Sequence, residues 1–206
     1  MKNRPYIALK DGASGEGATP VFLVHSGTCN TDTDRGGCIS WFGFEGVKMP
    51  RAQINGTMLN YRLDGPEGGE TVMFSNSLAA DLDMWKFQVP PLTDAGYRVL
   101  RYDGRGHGQS ASSPGPYSME MLAADAVGLI DFLGLDKVHF CGISLGGMVG
   151  QRLGAYHGDR LSSLILCATA SCIPFPEIWD ERIEAARRGG MAALVDATLD
   201  RWFTPD

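Results

Sequence analysis

The chain from Ala52 onwards alternates short apolar runs with amphipathic segments. Runs rich in Val, Leu, Phe and Tyr predict buried β-strands over residues 58–63, 71–74, 97–102, 137–141 and 161–168. Apolar residues recur at helical spacing from Met119 to about Leu133, with Ser118 as the N-cap and Gly134 after the last turn. Strands that alternate with helices indicate a mostly parallel sheet with helices on both faces.

The two ends of the chain show different patterns. Residues 1–50 are rich in Gly and Thr and hold one convincing apolar run, at 21–24, so they are predicted to be a poorly structured extension. After Ser171 the pattern is helical only, over 177–188 and 191–203, and helices added beyond a sheet strand are typical of a lid. The predicted domains are therefore an extension (1–50), an α/β core (51–171) and the start of a helical lid domain (172–206).

Composition excludes several classes of function. A chain of 206 residues that is 44% hydrophobic can bury one sizeable core. The net charge of -6, with no basic stripe, argues against nucleic acid as a partner. Five irregularly spaced cysteines predict reduced thiols, and no spacing suits a metal site. Without an apolar run long enough for a membrane span or a signal peptide, we expect a cytoplasmic protein.

The clearest chemical signal is the sequence Gly-Ile-Ser-Leu-Gly at residues 142–146, which fits G-x-S-x-G. A predicted strand enters this motif and a predicted helix leaves it, which is the context that a nucleophile elbow requires. On such a turn the serine adopts strained backbone angles and its hydroxyl projects above the sheet, while flanking glycines prevent collisions. Ser144 is thus the predicted nucleophile, and the N–H of Leu145 at the helix start is a predicted oxyanion donor.

A second oxyanion donor is predicted in the Ser-Asn-Ser-Leu loop at residues 75–78, which directly follows the strand over 71–74. The N–H of Leu78 is the candidate donor, and Asn76 and Ser77 are candidates for the substrate pocket. The alternative is a polar loop without a catalytic part.

Residues 103–110, Asp-Gly-Arg-Gly-His-Gly-Gln-Ser, form another glycine-rich segment after a strand. Its glycines could suggest a phosphate-binding loop. However, the segment runs into Ala-Ser-Ser-Pro and not into a helix, so the anion-binding helix terminus is missing and nucleotide binding is not predicted.

Together these segments resemble the α/β-hydrolase fold family, in which D-x-R-G-x-G-x-S and G-x-S-x-G follow two successive sheet strands. The chain is most similar to 3-oxoadipate enol-lactonases, in the segments 75–78, 83–85, 102–108, 142–148 and 179–204. The resemblance implies that Ser144 attacks a lactone carbonyl and that water then releases 3-oxoadipate from an acyl-enzyme, without a cofactor. It also implies a lid pocket that contains Trp179 and an arginine that binds the substrate carboxylate. The candidates for this arginine are Arg182, Arg187 and Arg188. The alternative for each of them is a place on a solvated helix face.

The resemblance further implies a triad acid and a histidine on later strands, which the chain does not supply before Asp206. The sheet is therefore predicted to lack its last strands and to expose the outer edge of the strand over 161–168. His25, His139 and His157 are predicted to be structural. His107 lies at the correct end of the sheet, but its strand is predicted to be distant from the nucleophile strand.

Three interpretations remain open. The first is a serine hydrolase for a small-molecule ester or lactone, in the lactonase class or as a carboxylesterase, a C–C bond hydrolase or an acyltransferase. The second is a non-catalytic or inactive hydrolase-fold fragment, and the third has a separate polypeptide supplying the missing strands. The sequence specifies neither the acyl group nor the oligomeric state.

Overall fold

The computed structural model describes residues 21–24, 50–172 and 177–204, the first four as backbone alone. The chain divides into two compact units, one up to Ala170 and one from Ser171 onwards. None of the helices in the described ranges is long and apolar enough to cross a membrane.

The first unit is built on one seven-stranded sheet. Its strands are β1 (Val21–Val24), β2 (Arg51–Ile54), β3 (Thr57–Asp64), β4 (Thr71–Ser75), β5 (Arg98–Tyr102), β6 (Val138–Ile143) and β7 (Leu161–Cys167). They lie in the order β1-β7-β6-β4-β5-β3-β2. Neighbouring strands are parallel along the run β1-β7-β6-β4-β5. Strand β3 pairs antiparallel with β5 and with β2. The predicted mostly parallel sheet is confirmed.

Both faces of the central strands are buried. All five residues of β4 are buried, as expected for a parallel strand covered on both sides. Successive side chains point to opposite faces, so Met73 joins one apolar cluster while Val72 and Phe74 join the other.

Helices cover these two faces. Helices α2 (Met119–Phe132) and α3 (Leu145–Tyr156) cover one face and contribute side chains to the apolar cluster that contains Met73. A 3₁₀ turn (Leu82–Trp85) and α1 (Val89–Asp94) cover the other face. Helix α2 has the predicted cap, because the hydroxyl of Ser118 accepts a hydrogen bond from the N–H of Met121 at 3.2 Å.

The sequence pattern missed the 3₁₀ turn and α1. With four and six residues, both elements are too short to display a helical repeat of apolar residues.

The second unit holds α4 (Glu177–Gly189), a 3₁₀ turn (Met191–Leu194) and α5 (Val195–Trp202). The second helix predicted there, over 191–203, is thus split into a 3₁₀ turn and a shorter α-helix.

The outer edge of β7 is not exposed, so that prediction was wrong. Strand β1 pairs with it in parallel, Val21 opposite Leu164 and Val24 opposite Cys167. An unpaired strand edge is a template for any segment of high β-propensity, and the run Val-Phe-Leu-Val is such a segment. The remainder of the predicted extension, residues 1–20 and 25–49, lies outside the described residues.

Candidate active site

Ser144 occupies a strained turn between β6 and α3. Its φ of 53° and ψ of -112° lie in a region that residues with a Cβ rarely adopt. Three hydrogen bonds hold this conformation. The N–H of Ser144 donates to the carbonyl of Cys167 at 2.9 Å, and its carbonyl accepts from the hydroxyl of Thr169 at 2.8 Å and from the N–H of Met148 at 3.0 Å. Such strain persists only where surrounding contacts over-determine it, and it is typical of functional sites.

Glycines make this turn sterically possible. A Cβ at Gly142 would strike the carbonyl of Gly146, and a Cβ at Gly146 would strike the carbonyl of Ser75. A Cβ at Gly147 would come within 2.6 Å of the side chain of Thr169. The turn therefore packs against both the end of β4 and the segment after β7.

The hydroxyl of Ser144 has no hydrogen-bond partner among the described residues. Ser144 is the N-cap residue of α3, but its side chain makes no capping hydrogen bond. The residue is partly exposed, and no hydrogen bond to its Oγ occurs within the part of the chain that the structure describes. Its oxygen is thus available to a ligand.

Two unpaired backbone N–H groups lie near this turn. Neither Leu78 nor Leu145 donates a backbone hydrogen bond to any described residue. The loop with Leu78 is tied to the elbow, because the N–H of Gly146 donates to the carbonyl of Asn76 at 3.0 Å. Leu145 is the first residue of α3, where the helix dipole adds positive potential. Both N–H groups are therefore suited to bind a partial negative charge.

A cavity of about 210 Å³ lies beside the elbow and brings together the predicted core site residues other than Ser144, which precedes the lining residue Leu145 but does not itself line the cavity. Leu78, Leu145, Asn76 and Ser77 all line it. The wall also contains Ser75, Tyr102, Gly104, Arg105, His107, Tyr117, Met119, Leu122, Asp125 and Val149.

The side chain of Asn76 stabilises the loop through hydrogen bonds within the protein. Its Nδ2 donates to the carbonyl of Tyr102 at 3.0 Å, and its Oδ1 accepts from the indole Nε1 of Trp85 at 2.9 Å. Because both ends of the amide are bonded within the protein, its main effect is to hold the adjacent residues Ser77 and Leu78.

The glycine-rich segment after β5 folds around the carboxylate of Asp103. This buried carboxylate accepts from the N–H of Leu82 at 2.7 Å, from Asn60 Nδ2 at 2.8 Å and from the N–H of Gln109 at 2.9 Å. Gly108 has a φ of 50°, and a Cβ there would strike the same carboxylate. The carboxylate of Asp103 thus organises the segment as a structural turn.

A buried ion pair joins this segment to α2 and forms part of the cavity wall. Arg105 Nε donates to Asp125 Oδ2 at 2.9 Å and Nη2 to Oδ1 at 2.8 Å, and the two side chains are 4% and 2% exposed. The pair raises the pKa of Arg105. Asp125 is not among the site residues predicted from the sequence. The available signal was a carboxylate within the apolar stripe of α2, because a charge placed there requires a partner.

Tyr102, also absent from the predicted site, contributes a neutral hydroxyl. Burial raises the pKa of Tyr102 to about 12, although its hydrogen bond to Ser75 Oγ at 3.0 Å opposes this shift. The phenol is therefore protonated at neutral pH.

No histidine in the described ranges hydrogen-bonds Ser144. His107 lines the cavity, but its Nδ1 lies 3.1 Å from the carbonyl oxygen of Arg105. His139 Nδ1 lies 2.8 Å from Ser163 Oγ, and the pair is remote from the carboxyl ends of β6 and β7. His25 lies outside the described residues.

The predicted lid residues lie in the second unit. There the guanidinium carbon of Arg182 is 5.0 Å from the centre of the Trp179 ring. Their place in a substrate pocket stays a prediction. The described residues contain no group of three or more His, Cys, Asp or Glu side chains that could hold a metal ion.

Comparison with known proteins identifies the family. A family model described as the alpha/beta hydrolase fold matches residues 70–187, which is more than half of the chain. The chain belongs to the α/β hydrolase fold family. The resemblance seen in the sequence motifs is thereby confirmed.

Enol-lactonases are among the relatives. The chain is 40% identical over 149 residues to 3-oxoadipate enol-lactonase 1 of Acinetobacter baylyi, a match that covers 72% of this chain and 55% of that enzyme. The crystal structure of the enol-lactonase from Burkholderia xenovorans LB400 superimposes with a TM-score of 0.73 at 48% identity, over 76% of this chain and 61% of that one. A thermophilic esterase from Thermogutta terrifontis gives a TM-score of 0.68 at 31% identity, over 75% and 59% of the two chains. The chain thus spans little more than half the length of these relatives.

Proposed function

We propose that this chain carries the nucleophile and oxyanion-binding parts of a serine hydrolase for a carboxylic ester or lactone. The observation that carries the proposal is the strained Ser144, whose hydroxyl has no described protein partner, beside the unpaired N–H groups of Leu78 and Leu145. Unpaired donors close to a nucleophile are what acyl transfer requires, because negative charge develops on the carbonyl oxygen during attack. The likeness to enol-lactonases supports an enol-lactone as the preferred substrate. The product would be 3-oxoadipate.

In the proposed reaction Ser144 Oγ attacks the acyl carbon and forms a tetrahedral intermediate. The N–H groups of Leu78 and Leu145 stabilise its oxyanion, and collapse of the intermediate breaks the bond between the acyl carbon and the ester or enol oxygen, which takes up the proton lost by Ser144. Water then hydrolyses the acyl-enzyme to the carboxylic acid and regenerates Ser144. The serine proton needs a base, which the family resemblance places after the lid together with a carboxylic acid.

The remaining assignments follow from this proposal. Residues 51–171 form the catalytic core, and 172–206 begin a lid in which Trp179 and Arg182 contact the substrate. The protein acts in the cytoplasm on a small molecule, in aromatic catabolism, without a cofactor and without nucleic acid or membrane partners.

A second candidate is a hydrolase-fold protein that binds a small molecule without turnover. It is favoured by one observation, that within the described ranges no histidine bonds Ser144. The two candidates differ in the reactivity of the Ser144 hydroxyl.

A fluorophosphonate probe distinguishes them, because it phosphonylates activated serines. In a protein that includes the base and acid placed after the lid, we expect one adduct per chain, located on the peptide with Ser144 by mass spectrometry and absent in Ser144→Ala. Ser163→Ala is a matched control, since Ser163 also has a histidine neighbour but lies away from the elbow. A folded wild-type chain without an adduct on Ser144 would contradict the hydrolase proposal and favour the binding protein.

A further inference from the structure

Most polar side chains on the cavity wall are bonded to other protein groups. Among the described residues this holds for Ser75 with Tyr102, for Asn76 with Trp85, for Arg105 with Asp125 and for Tyr117 with Ser113. The exceptions are the hydroxyl of Ser77 and the Nε2 atom of His107, in addition to the N–H groups of Leu78 and Leu145. Among the described wall residues, these groups are therefore free to bond a ligand without competing with an internal hydrogen bond.

The hydrogen bond at Nδ1 determines how His107 can act. Its partner is the carbonyl oxygen of Arg105 at 3.1 Å, and a carbonyl can only accept, so Nδ1 must carry a proton. The variable atom is therefore Nε2, which accepts a hydrogen bond in the neutral ring and donates one in the charged ring.

The sheet order sets the distance between His107 and the elbow. Strands β6, β4 and β5 are successive neighbours, and neighbouring strands lie about 4.8 Å apart. The loop with His107, after β5, therefore begins roughly 10 Å from the elbow after β6. An extended six-carbon chain measures roughly 6 Å between its terminal carbons, so it could span this separation once side-chain reach is added.

The charges around His107 favour an anionic group. Arg105 and Asp125 neutralise each other, the phenol of Tyr102 carries no charge at neutral pH, and the hydroxyl of Tyr117 donates a hydrogen bond to the carbonyl of Ser113. The described wall residues offer no free carboxylate to the Nε2 atom of His107, because Asp125 is paired with Arg105, so a carboxylate of the ligand would be a suitable partner.

We propose that His107 determines substrate specificity by donating a hydrogen bond from Nε2 to a free, non-reacting carboxylate of the substrate. The reacting acyl carbon of this ester or lactone, whose hydrolysis gives a dicarboxylate, lies at the N–H groups of Leu78 and Leu145. The proposal rests on the proposed function, since it takes the elbow as the place of the reacting group. It adds a recognition point within the core unit.

Equilibrium binding of adipate, a six-carbon dicarboxylate, tests this role without requiring turnover. Titration calorimetry on the full chain should detect binding to the wild type. His107→Asn retains an amide donor near the position of Nδ1 but loses Nε2, so we expect affinity to fall about 10- to 100-fold, as for a lost charge-assisted hydrogen bond. His107→Gln places an amide N–H near the position of Nε2 and should restore part of the affinity. His157→Asn changes a histidine outside the cavity and should bind like the wild type.

Adipamide, which has the same length but no charge, separates recognition from a structural effect. It should bind weakly and equally to the wild type and to both variants of His107. The proposal is overturned if adipate fails to bind the wild type, or if it binds His107→Asn as tightly as the wild type. It is also overturned if His107→Asn weakens adipate and adipamide equally.

Phosphonate labelling keeps this test separate from that of the proposed function. If His107→Asn binds adipate normally while Ser144 is still labelled, the specificity role fails and the hydrolase proposal stands. If adipate binding depends on His107 in a chain that is not labelled, the specificity role stands and the hydrolase proposal fails.

Discussion

Removing Asp125 is expected to destabilise the fold more than any change at an exposed ion pair. Asp125 lies on α2, and its carboxylate accepts two hydrogen bonds from Arg105 and one from Asn55 Nδ2 at 3.2 Å. In Asp125→Ala the guanidinium of Arg105 keeps only two described partners, Ser113 Oγ at 2.8 Å and the carbonyl of Asn55 at 3.1 Å. A charge that is 4% exposed would then lack its counter-ion.

The magnitude follows from the burial of both groups. Loss of one partner from a buried ion pair costs about 3–5 kcal/mol. The total free energy of unfolding of a domain is about 5–15 kcal/mol, so Asp125→Ala should leave the core only marginally folded. Arg105→Met combined with Asp125→Leu removes both charges and should recover much of the loss, because two apolar side chains of similar size need no counter-ion.

Asp131→Ala is the matched control on the same helix. Asp131 is 57% exposed and pairs with Arg160 at 2.6 Å. An exposed pair contributes about 0–1 kcal/mol. Urea denaturation followed by circular dichroism measures the free energy of unfolding of all variants. The reasoning is refuted if Asp125→Ala costs no more than Asp131→Ala, or if the double variant is no more stable than Asp125→Ala.

Three further changes have defined outcomes. Ser144→Gly should be about 1–2 kcal/mol more stable than Ser144→Ala in the same denaturation assay, since glycine relieves the strain at a φ of 53° at a small entropic cost; equal stability would mean that the elbow is unstrained. The hydrogen bond from Cys141 lowers the pKa of Cys167 to about 7, so alkylation of Cys167 by iodoacetamide should slow as pH falls through 7, and in Cys141→Ala this midpoint should rise; an unchanged midpoint would argue against the thiol pair. Leu23→Pro should disturb the pairing of β1, expose the edge of β7 and increase light scattering of the purified chain, whereas unchanged scattering would argue against that pairing.

Local signals predicted much of the fold correctly. The cap at Ser118, the apolar strands and the glycines of the elbow are each specified by residues a few positions apart. Strand β6 and helix α3 therefore lie on the predicted sides of Ser144, although β6 ends two residues beyond the predicted range 137–141. Residues of the elbow, the oxyanion loop and the segment after β5 all reach one cavity.

Long-range pairing was the part that local patterns could not supply. Strand β1 finds its partner β7 about 140 residues later, and nothing within four apolar residues specifies which edge they join. The ion pair between Arg105 and Asp125 was not predicted for the same reason. Its two residues lie on a loop and a helix that come into contact only when the sheet has folded. The position of His107 in the cavity also follows from the strand order, which places β4 between β5 and β6.

The central claim, that Ser144 is an acylated nucleophile, is tested most directly by trapping the acyl-enzyme. The protein, including the base and acid that the resemblance places after the lid, is mixed with p-nitrophenyl acetate, and the intact mass is recorded after rapid acid quenching. The account predicts a single acetyl adduct on the peptide with Ser144, together with a burst of p-nitrophenolate, and neither in Ser144→Ala. A burst of equal size in Ser144→Ala, or no acetylated Ser144 in the folded wild type, would contradict it.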